Sequence, residues 1–429
     1  MRILMLSWEY PPKMVGGLGR HVHALSRALA AAGHSVTVVS RHGDHADGTP
    51  AETDEIIEGV RVVRVHEDPP LVPFSELMAW TLAMNHGLTR AALRIVNEEP
   101  FDVIHCHDWL VAHAGKTLKD VTGLPLIATV HATEAGRHQG WLPGPMNQAI
   151  HSVEWWLTFE ARRVITCSSH MRWEVTRLFD LPDKVDVIPN GIDVAHWEPS
   201  PRSVRAARSR YAGEGPLLLF AGRLEYEKGV QTVLRALPRL RRRHPGLHLV
   251  VAGVGTQEDS LRALTKSLRV SGAVTFTGYL EPVELAALAA ASDVAVVPSI
   301  YEPFGLVALE AAAVGTPVAV ADTGGLREFV EHGTTGLRFT ADDVPGLADA
   351  VTRLLRDEVL SRRLVHQARE VLARDYTWPA VAIQTVHTYA TAITEERTLQ
   401  ATQAGRAGGR GALRVVVRDG NLLTDTAPA

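Results

Sequence analysis

Cysteine is nearly absent from this sequence, and long apolar runs are missing altogether. The two cysteines, Cys106 and Cys167, both lie in apolar, strand-like runs. So few thiols exclude a disulfide framework and indicate buried, reduced side chains in a cytoplasmic protein. No apolar run reaches about 18 residues, so we expect no membrane-spanning helix. The short apolar start, Ile3–Ser7, is followed at once by Glu9 and Pro11, which favours a buried first strand over a signal peptide.

An excess of basic charge is also missing. The formal net charge is −4, so no basic field favours nucleic acid as a partner. Hydrophobic residues make up 46% of the chain and charged residues 21%, which is typical of a soluble globular protein. A length of 429 residues predicts two domains, or three.

Short apolar runs alternate with helical patterns through the first half of the chain. Because parallel strands are covered on both faces, they are apolar throughout rather than at every second residue. The pattern therefore predicts a doubly wound parallel sheet. The strands we predict here are Ile3–Ser7, Val36–Ser40, Val60–Val65, Val103–His107, Leu126–Val130, Val164–Cys167 and Val185–Ile188.

After a polar connector at Glu198–Gly215, the same alternation restarts and predicts a second domain. Its predicted strands are Leu217–Ala221, Leu249–Ala252, Val274–Thr277, Val294–Val297 and Val318–Val320. We therefore expect an α/β protein with two Rossmann-like doubly wound domains, at residues 1–195 and 196–375. A last helix is predicted from Asp375 to about Thr391. We expect residues 396–429 to form a weakly ordered tail, with a small strand at Leu413–Val417.

Two carboxylates, Glu302 and Glu310, bracket the most informative stretch. Glu302 stands in a loop with Pro303 and Gly305, and Glu310 lies eight residues on, inside an apolar helical run. Phe304 and Gly305 thus open a helix, whose first N–H groups have no internal partners and attract anionic or hydroxyl oxygens. The combination predicts a site for a polyhydroxy ligand.

The segment Glu302–Gly305 together with Glu310 resembles the paired-glutamate signature of retaining glycosyltransferases of the GT-B fold, family 4. Glycogen synthases belong to the same broader group. The resemblance spans residues 1 to about 395. It implies two domains facing across a cleft, and a crossover helix at residues 376–395 that packs on the first domain. It also implies a nucleotide-diphosphate sugar as donor substrate, a glycan acceptor, and no cofactor or metal.

Within family 4, the finer resemblance is to actinobacterial α-(1→4)-glucosyltransferases of glycogen and methylglucose polysaccharide synthesis. It rests on three segments, Ser7–Pro12, Gly16–His23 and His131–Arg137. This resemblance implies a glucosyl donor and an α-glucan acceptor.

Arg223 and Lys228 follow the first strand of the predicted second domain. Ligands of open α/β sheets bind outside the carboxyl ends of the strands, where two cations can neutralise a diphosphate. The alternative is a pair of surface ion pairs with Glu225 and Glu227. The segment also resembles the phosphate-binding segment of family 4, which implies that both cations stabilise the leaving group.

Glycine turns provide further candidates for donor binding. Gly17 belongs to a glycine-rich turn between the first strand and a helix, where backbone and helix dipole suit a phosphate. The resemblance implies a phosphate contact from the amides of Gly324 and Gly325, and a contact of Tyr279 with the base. At each of these glycines the alternative is a tight turn that has no role in binding. The family usually has a lysine two residues before the paired glycines, where this chain has Met14.

Histidines end two of the predicted strands. The resemblance implies that His131 contacts the donor sugar, with a structural imidazole as the alternative. His105 and His107 lie on one face of a strand with Asp108 beyond, a spacing that suits a metal. We predict no metal there, because catalysis in this family needs none. His107 and Asp108 are candidates for the acceptor cleft, with His105 structural.

The predicted reaction moves glucose from ADP- or UDP-glucose to an α-1,4-glucan, with retention of the α configuration. Trp141 is a further acceptor candidate. The resemblance implies that Glu302 orients the sugar and that Glu310 accepts from the ribose. Backbone amides of Phe304, Gly305 and Leu306 complete the donor site.

Several alternatives remain open. Within the family they are maltose 1-phosphate synthesis and mannosyl transfer. A sugar-nucleotide-binding protein without activity is a further reading. A nicotinamide-dependent oxidoreductase is disfavoured because G-x-G-x-x-G is absent. The sequence leaves the oligomeric state undetermined.

Overall fold

The computed structural model describes residues 1–42, 52–69, 72–181, 183–212, 215–407, 415–418 and 421–424. Within these residues the chain builds two large sheets, each covered by helices. The strand interiors are almost fully buried apolar residues, as expected for parallel strands covered on both faces.

The first sheet has eight strands in the order β3-β4-β2-β1-β5-β6-β7-β8. Its strands are β1 Arg2–Ser7, β2 Ser35–Arg41, β3 Glu52–Ile57, β4 Val60–Val65, β5 Val103–His107, β6 Leu126–Val130, β7 Arg163–Thr166 and β8 Val185–Val187. Its helices are α1 Gly17–Ala31, α2 Leu77–Glu98, α3 Ala112–Thr122, α4 Glu134–Arg137, α5 Pro145–Glu160 and α6 Ser169–Phe179. All pairings are parallel except β3 with β4. The acidic edge strand β3 was not predicted, since its exposed side chains lack the apolar signal of a buried strand.

The second sheet has six parallel strands in the order β11-β10-β9-β12-β13-β14. Its strands are β9 Leu217–Ala221, β10 His248–Ala252, β11 Val274–Gly278, β12 Val294–Val297, β13 Val318–Ala321 and β14 Leu337–Phe339. The helices of this half are α7 Pro201–Tyr211, α8 Val230–Arg243, α9 Glu258–Ser267, α10 Pro282–Ala291, α11 Leu306–Val314, α12 Leu326–Phe329, α13 Val344–Arg356 and α14 Glu358–Asp375. The predicted strands of both halves are present within one or two residues.

Strand order reverses at one point in each sheet. β1 lies between β2 and β5, and β9 lies between β10 and β12. Crevices form outside the carboxyl ends of strands at such points. The glycine-rich turn follows β1 and the Arg223 segment follows β9, so both occupy switch points.

The segment between the sheets differs from the expected connector. Residues 201–211 form helix α7, with Ser200 as N-cap accepting from the Ser203 amide at 3.1 Å. Its arginine-rich composition led us to expect a connector, although Val204, Ala207 and Tyr211 share one face of the helix and pack against a core cluster of the second half. The domain division at residue 195 stays a prediction.

The last helix, α15 Trp378–Ala407, returns to the first sheet. Val381 and Tyr389 are fully buried beside Ile3 and Val103. The helix is longer than the predicted end at Thr391, so residues 396–407 are helical and not a weakly ordered tail. No glycine or proline interrupts residues 380–404.

Contacts with the first sheet hold this extension. Arg162 lies 2.7 Å from Glu396, and Gln400 donates to the Gly123 carbonyl at 2.7 Å. Beyond it, β15 Val415–Arg418 pairs antiparallel with β16 Asn421–Thr424. Residues 413 and 414 of the predicted small strand lie outside the described residues. Among the helices that the structure describes, none combines the length and the apolar character needed to cross a bilayer.

Candidate active site

Glu302 lies in the loop between β12 and α11, where it meets Lys228. One carboxylate oxygen, Oε2, accepts from Lys228 Nζ at 2.9 Å and from Ser299 Oγ at 3.1 Å. The Glu302 side chain is 14% exposed and that of Lys228 17%. The structure thus joins two residues predicted for catalysis into one ion pair.

The turn at Gly324 and Gly325 packs against the Glu302 loop. Gly324 has φ of +51°, and a β-carbon there would lie 2.0 Å from the Glu302 carbonyl oxygen. The Gly325 amide donates to the same carbonyl at 2.9 Å. This hydrogen bond holds the Glu302 loop, and the phosphate contact expected from Gly325 stays a prediction. A donor contact from Gly324 stays a prediction.

Helices α1 and α11 begin at facing positions. Gly305, with φ of +104°, is the N-cap of α11, and Phe304 before it is buried. A β-carbon on Gly17, the first residue of α1, would lie 3.2 Å from Leu306 Cδ1. The N-termini of α1 and α11 therefore lie next to each other, and the phosphate contact at Gly17 stays a prediction.

Glu310 points from α11 towards α1. Its Oε1 accepts from the Arg20 guanidinium, and its side chain is 7% exposed. Buried carboxylates are stable only with such partners. The sequence analysis missed Arg20, since nothing in the pattern of α1 relates it to a residue 290 positions away.

Arg223 lies at the surface of the cleft with a 47% exposed side chain. Its Nη2 contacts Glu227 Oε1 at 3.2 Å, while Glu225 accepts from the Thr256 amide at 3.1 Å. One of the two surface ion pairs considered as an alternative is therefore present. The remaining N–H groups of an arginine paired at one nitrogen can still receive a phosphate.

Four histidines gather at the carboxyl ends of β5 and β6 and on α1. The Nε2 of His131 lies 3.2 Å from His107 Nδ1, and the His21 ring is centred 4.8 Å from that of His131. Both nitrogens of His105 are engaged, by Tyr389 Oη and Thr129 Oγ1, each at 2.7 Å. His105 is thus a structural residue, while the other three form a separate cluster.

Burial sets the charge of these groups. It lowers the pKa of His21 and His131 to about 3, so both imidazoles are neutral at pH 7. Burial also raises the pKa of Asp108 to about 6, against the lowering effect of the His131 amide and of Arg137. Asp108 Oδ1 accepts that amide at 2.7 Å, which fixes the backbone of His131.

Glu9 is a buried residue of the site that the sequence analysis missed. Its Oε2 accepts from the amides of Val15 and Gly16 at 2.7 and 2.9 Å. Burial raises the pKa of Glu9, opposed by these amides. The glycine-rich turn therefore closes on a carboxylate of the chain. A lone carboxylate between an apolar strand and a glycine turn is the signal that would have indicated it.

Residues on both sides of Glu302 are bound to the first sheet. Tyr301 Oη donates to Glu174 Oε1 at 3.0 Å and accepts the Thr133 amide at 3.3 Å. Ser168 Oγ donates to the Pro303 carbonyl at 2.7 Å. The position of the Glu302 loop thus depends on both halves of the molecule.

Two predicted binding residues are mostly exposed. Trp141 follows α4 and is 69% exposed, and Tyr279 follows β11 at the edge of the second sheet and is 60% exposed. Their roles at acceptor and base stay predictions.

Known proteins share the sequence and the fold. Residues 15–196 match the family Glycosyltransferase Family 4, and residues 205–371 match Glycosyl transferases group 1. A glycogen synthase of Mycobacterium tuberculosis is 49% identical over 411 residues, which cover 93% of this chain and 97% of the relative. An uncharacterized glycosyltransferase of Methanocaldococcus jannaschii is 36% identical over 397 residues, covering 91% and 98%.

Among solved structures, a sucrose-phosphate synthase from Thermosynechococcus elongatus superimposes with a TM-score of 0.79. The two chains are 27% identical, and the match covers 92% of this chain and 99% of that one. The match confirms the predicted GT-B fold of two Rossmann-like domains.

Proposed function

This chain belongs to glycosyltransferase family 4 and is a hexosyltransferase, and we propose that it moves glucose from ADP- or UDP-glucose to an α-1,4-glucan or a related oligosaccharide. The observation that carries the proposal is the Lys228–Glu302 pair at the start of α11, in a chain similar over nearly its whole length to a glycogen synthase. The donor is a substrate, and the reaction needs no cofactor.

In the proposed reaction Lys228 and Arg223 bind the diphosphate and stabilise the charge that develops as it leaves. Hydrogen bonds to charged groups contribute about 1.5–3 kcal/mol each. The bond between the anomeric carbon and the phosphate oxygen breaks, and the acceptor oxygen bonds the same face of that carbon. The acceptor proton passes to the departing phosphate oxygen, so the α configuration is retained.

Other groups hold the donor in position. Glu302 accepts from the sugar hydroxyls, and the amides at the start of α11 face the donor oxygens. Glu310 accepts from the ribose, in competition with its ion pair to Arg20. His131 contacts the sugar, with His107, Asp108 and Trp141 on the acceptor side.

The proposal places the enzyme in the cytoplasm. The described thiols Cys106 and Cys167 are unpaired and buried, and such thiols persist in a reducing compartment. Burial raises the pKa of both well above that of an exposed thiol, which keeps them unreactive.

The test is to incubate the purified protein with ADP-glucose or UDP-glucose and maltooligosaccharides, and to follow nucleotide release together with chain length. We expect growth by single glucose units. Glu302→Gln should reduce the rate at least about 100-fold. The exposed Glu358→Gln should not change it.

The other outcomes separate the alternatives. Nucleotide release without chain growth would point to a phosphorylated sugar or another glycoside as acceptor, as in maltose 1-phosphate synthesis. Turnover of GDP-mannose alone would favour mannosyl transfer. Binding of a donor without any turnover would favour the non-catalytic reading.

A further inference from the structure

We propose that His21, His107 and His131 form a binding site for a divalent transition-metal ion of the zinc type, and that the bound ion inhibits the enzyme. One ring nitrogen from each residue lies within 4.8 Å of the others. Neutral imidazole is a preferred ligand of such ions. The site differs from the His105, His107 and Asp108 set considered from sequence, because His105 has both nitrogens engaged.

The spacing of two of the ligand atoms already suits a metal. His107 Nδ1 and His131 Nε2 are 3.2 Å apart. Two nitrogens bound at about 2.0–2.1 Å to a tetrahedral zinc ion are separated by roughly 3.3 Å. An ion bound by both would replace their mutual hydrogen bond, with a reorientation of the two rings towards it.

The hydrogen bonding of His21 supports the metal site independently of the ligand spacing. His21 Nδ1 lies 2.7 Å from Asn190 Oδ1, so this nitrogen carries the proton and donates to the amide oxygen. The other nitrogen, Nε2, then carries a lone pair, and it is buried without a hydrogen-bond partner. Buried polar atoms without partners are rare in native proteins. Metal-binding histidines usually donate their second N–H to an oxygen in this way.

Two further groups border the cluster. Asp108 accepts the His131 amide and brings a carboxylate to the edge of the cluster. The Trp378 ring of α15, centred 5.4 Å from that of His21, covers the cluster on another side.

The inhibition follows from the position of His131, which is half-buried while the other two ligands are buried. An ion held at His131 Nε2 would fix the imidazole that is proposed to contact the donor sugar. It should therefore raise the KM for the donor. This half of the proposal rests on the proposed function; metal binding itself does not.

Cobalt(II) provides a readout that does not need activity. The chelator-treated full chain is titrated with Co²⁺, and we expect a visible absorption band that saturates near one equivalent and is displaced by Zn²⁺. His21→Gln and His107→Gln should each weaken binding at least about tenfold. The control His366→Gln, a residue with a 75% exposed side chain, should leave the band unchanged.

A band that persists in both cluster variants, or no saturable band in the native protein, would overturn the site. Each variant is checked for folding by circular dichroism, and Asn190→Asp serves as a further test. This change keeps the oxygen that holds His21 and adds negative charge, so metal binding should be retained or strengthened. Weakening in Asn190→Asp would count against the ligand role of His21.

Inhibition is measured separately, as the donor KM with and without one equivalent of Zn²⁺. A rise in KM that is absent in His21→Gln supports the inhibitory role. Zn²⁺ binding without a change in the donor KM would overturn the inhibitory role but not the metal site itself. If the protein transfers no glucose, the cobalt titration still decides the metal site, so the two proposals fail independently.

Discussion

Arg20 of α1 forms an ion pair with Glu310 of α11, and this contact directly joins the two halves of the molecule beside the proposed donor site. The pair occupies one oxygen of the carboxylate proposed to receive the ribose hydroxyls. Donor binding therefore requires Glu310 to share or exchange this partner.

Replacing Arg20 tests this competition. Arg20→Gln should tighten binding of ADP or UDP by up to about fivefold, because a half-exposed ion pair contributes up to about 1 kcal/mol. Isothermal titration calorimetry measures the change. Arg27→Gln, another α1 arginine paired with a glutamate, is the control. Weaker nucleotide binding in Arg20→Gln would show instead that Arg20 itself binds the phosphates.

Arg223 should contribute to the chemical step. Arg223→Ala is expected to lower kcat by about 10²–10³, because the guanidinium stabilises charge on the leaving diphosphate. Arg262→Ala is a matched control, since Arg262 is equally exposed, at 47%, and is also paired with a glutamate four residues away. Equal kcat values in the two variants would mean that Arg223 forms only its surface ion pair and does not act in the chemical step.

Gly324 should tolerate no side chain. In Gly324→Ala the new methyl group would displace the Glu302 carbonyl, which lies 2.0 Å from the β-carbon position. A shift of about 1 Å in a catalytic group can cost 10²-fold in rate. Gly333→Ala is the control, since Gly333 also has positive φ, +81°, but has no neighbour within 4 Å. Steady-state kinetics should show a loss of activity in Gly324→Ala alone.

Glu154 should make stability depend on pH. Burial raises its pKa from 4.5 to about 8, and its Oε2 is buried without a hydrogen-bond partner, 3.9 Å from His151 Nδ1. A group whose pKa is raised on folding contributes its full stability below the unfolded value, here 4.5, and loses it as pH rises to the folded value. The wild type should therefore lose stability relative to Glu154→Gln between pH 4.5 and 8, by at most about 1.4 kcal/mol per pH unit.

Denaturant unfolding of both proteins at pH 5, 6, 7 and 8.5 measures this difference, with the exposed Glu358→Gln as control. The difference in the free energy of unfolding between the wild type and Glu154→Gln should grow up to pH 8 and level off above it. A difference that does not change over this range would mean that Glu154 is ionised in the folded protein.

The local pattern of apolar and polar residues was sufficient to predict most strands of the fold. The apolar runs at Val103–His107 and Leu217–Ala221 predicted buried parallel strands, because burial on both faces leaves a continuous signal. The edge strand Glu52–Ile57 was missed because its exposed side chains carry little apolar periodicity. Helix Pro201–Tyr211 was missed because its many arginines obscured a short apolar face. The extension of α15 beyond Thr391 depends on contacts with Arg162 and Gly123, which no local pattern records.

The sequence by itself determined the two-sheet architecture, because buried parallel strands leave a continuous apolar signal, and it predicted Glu302 and Lys228 as site residues from motif spacing and strand ends. Only the tertiary structure decided their partners. It paired Arg20 with Glu310, turned the Gly325 amide towards the Glu302 loop, and gathered His21 with the histidines of β5 and β6. These contacts join residues far apart in the chain, and packing, not periodicity, brings them within bonding distance.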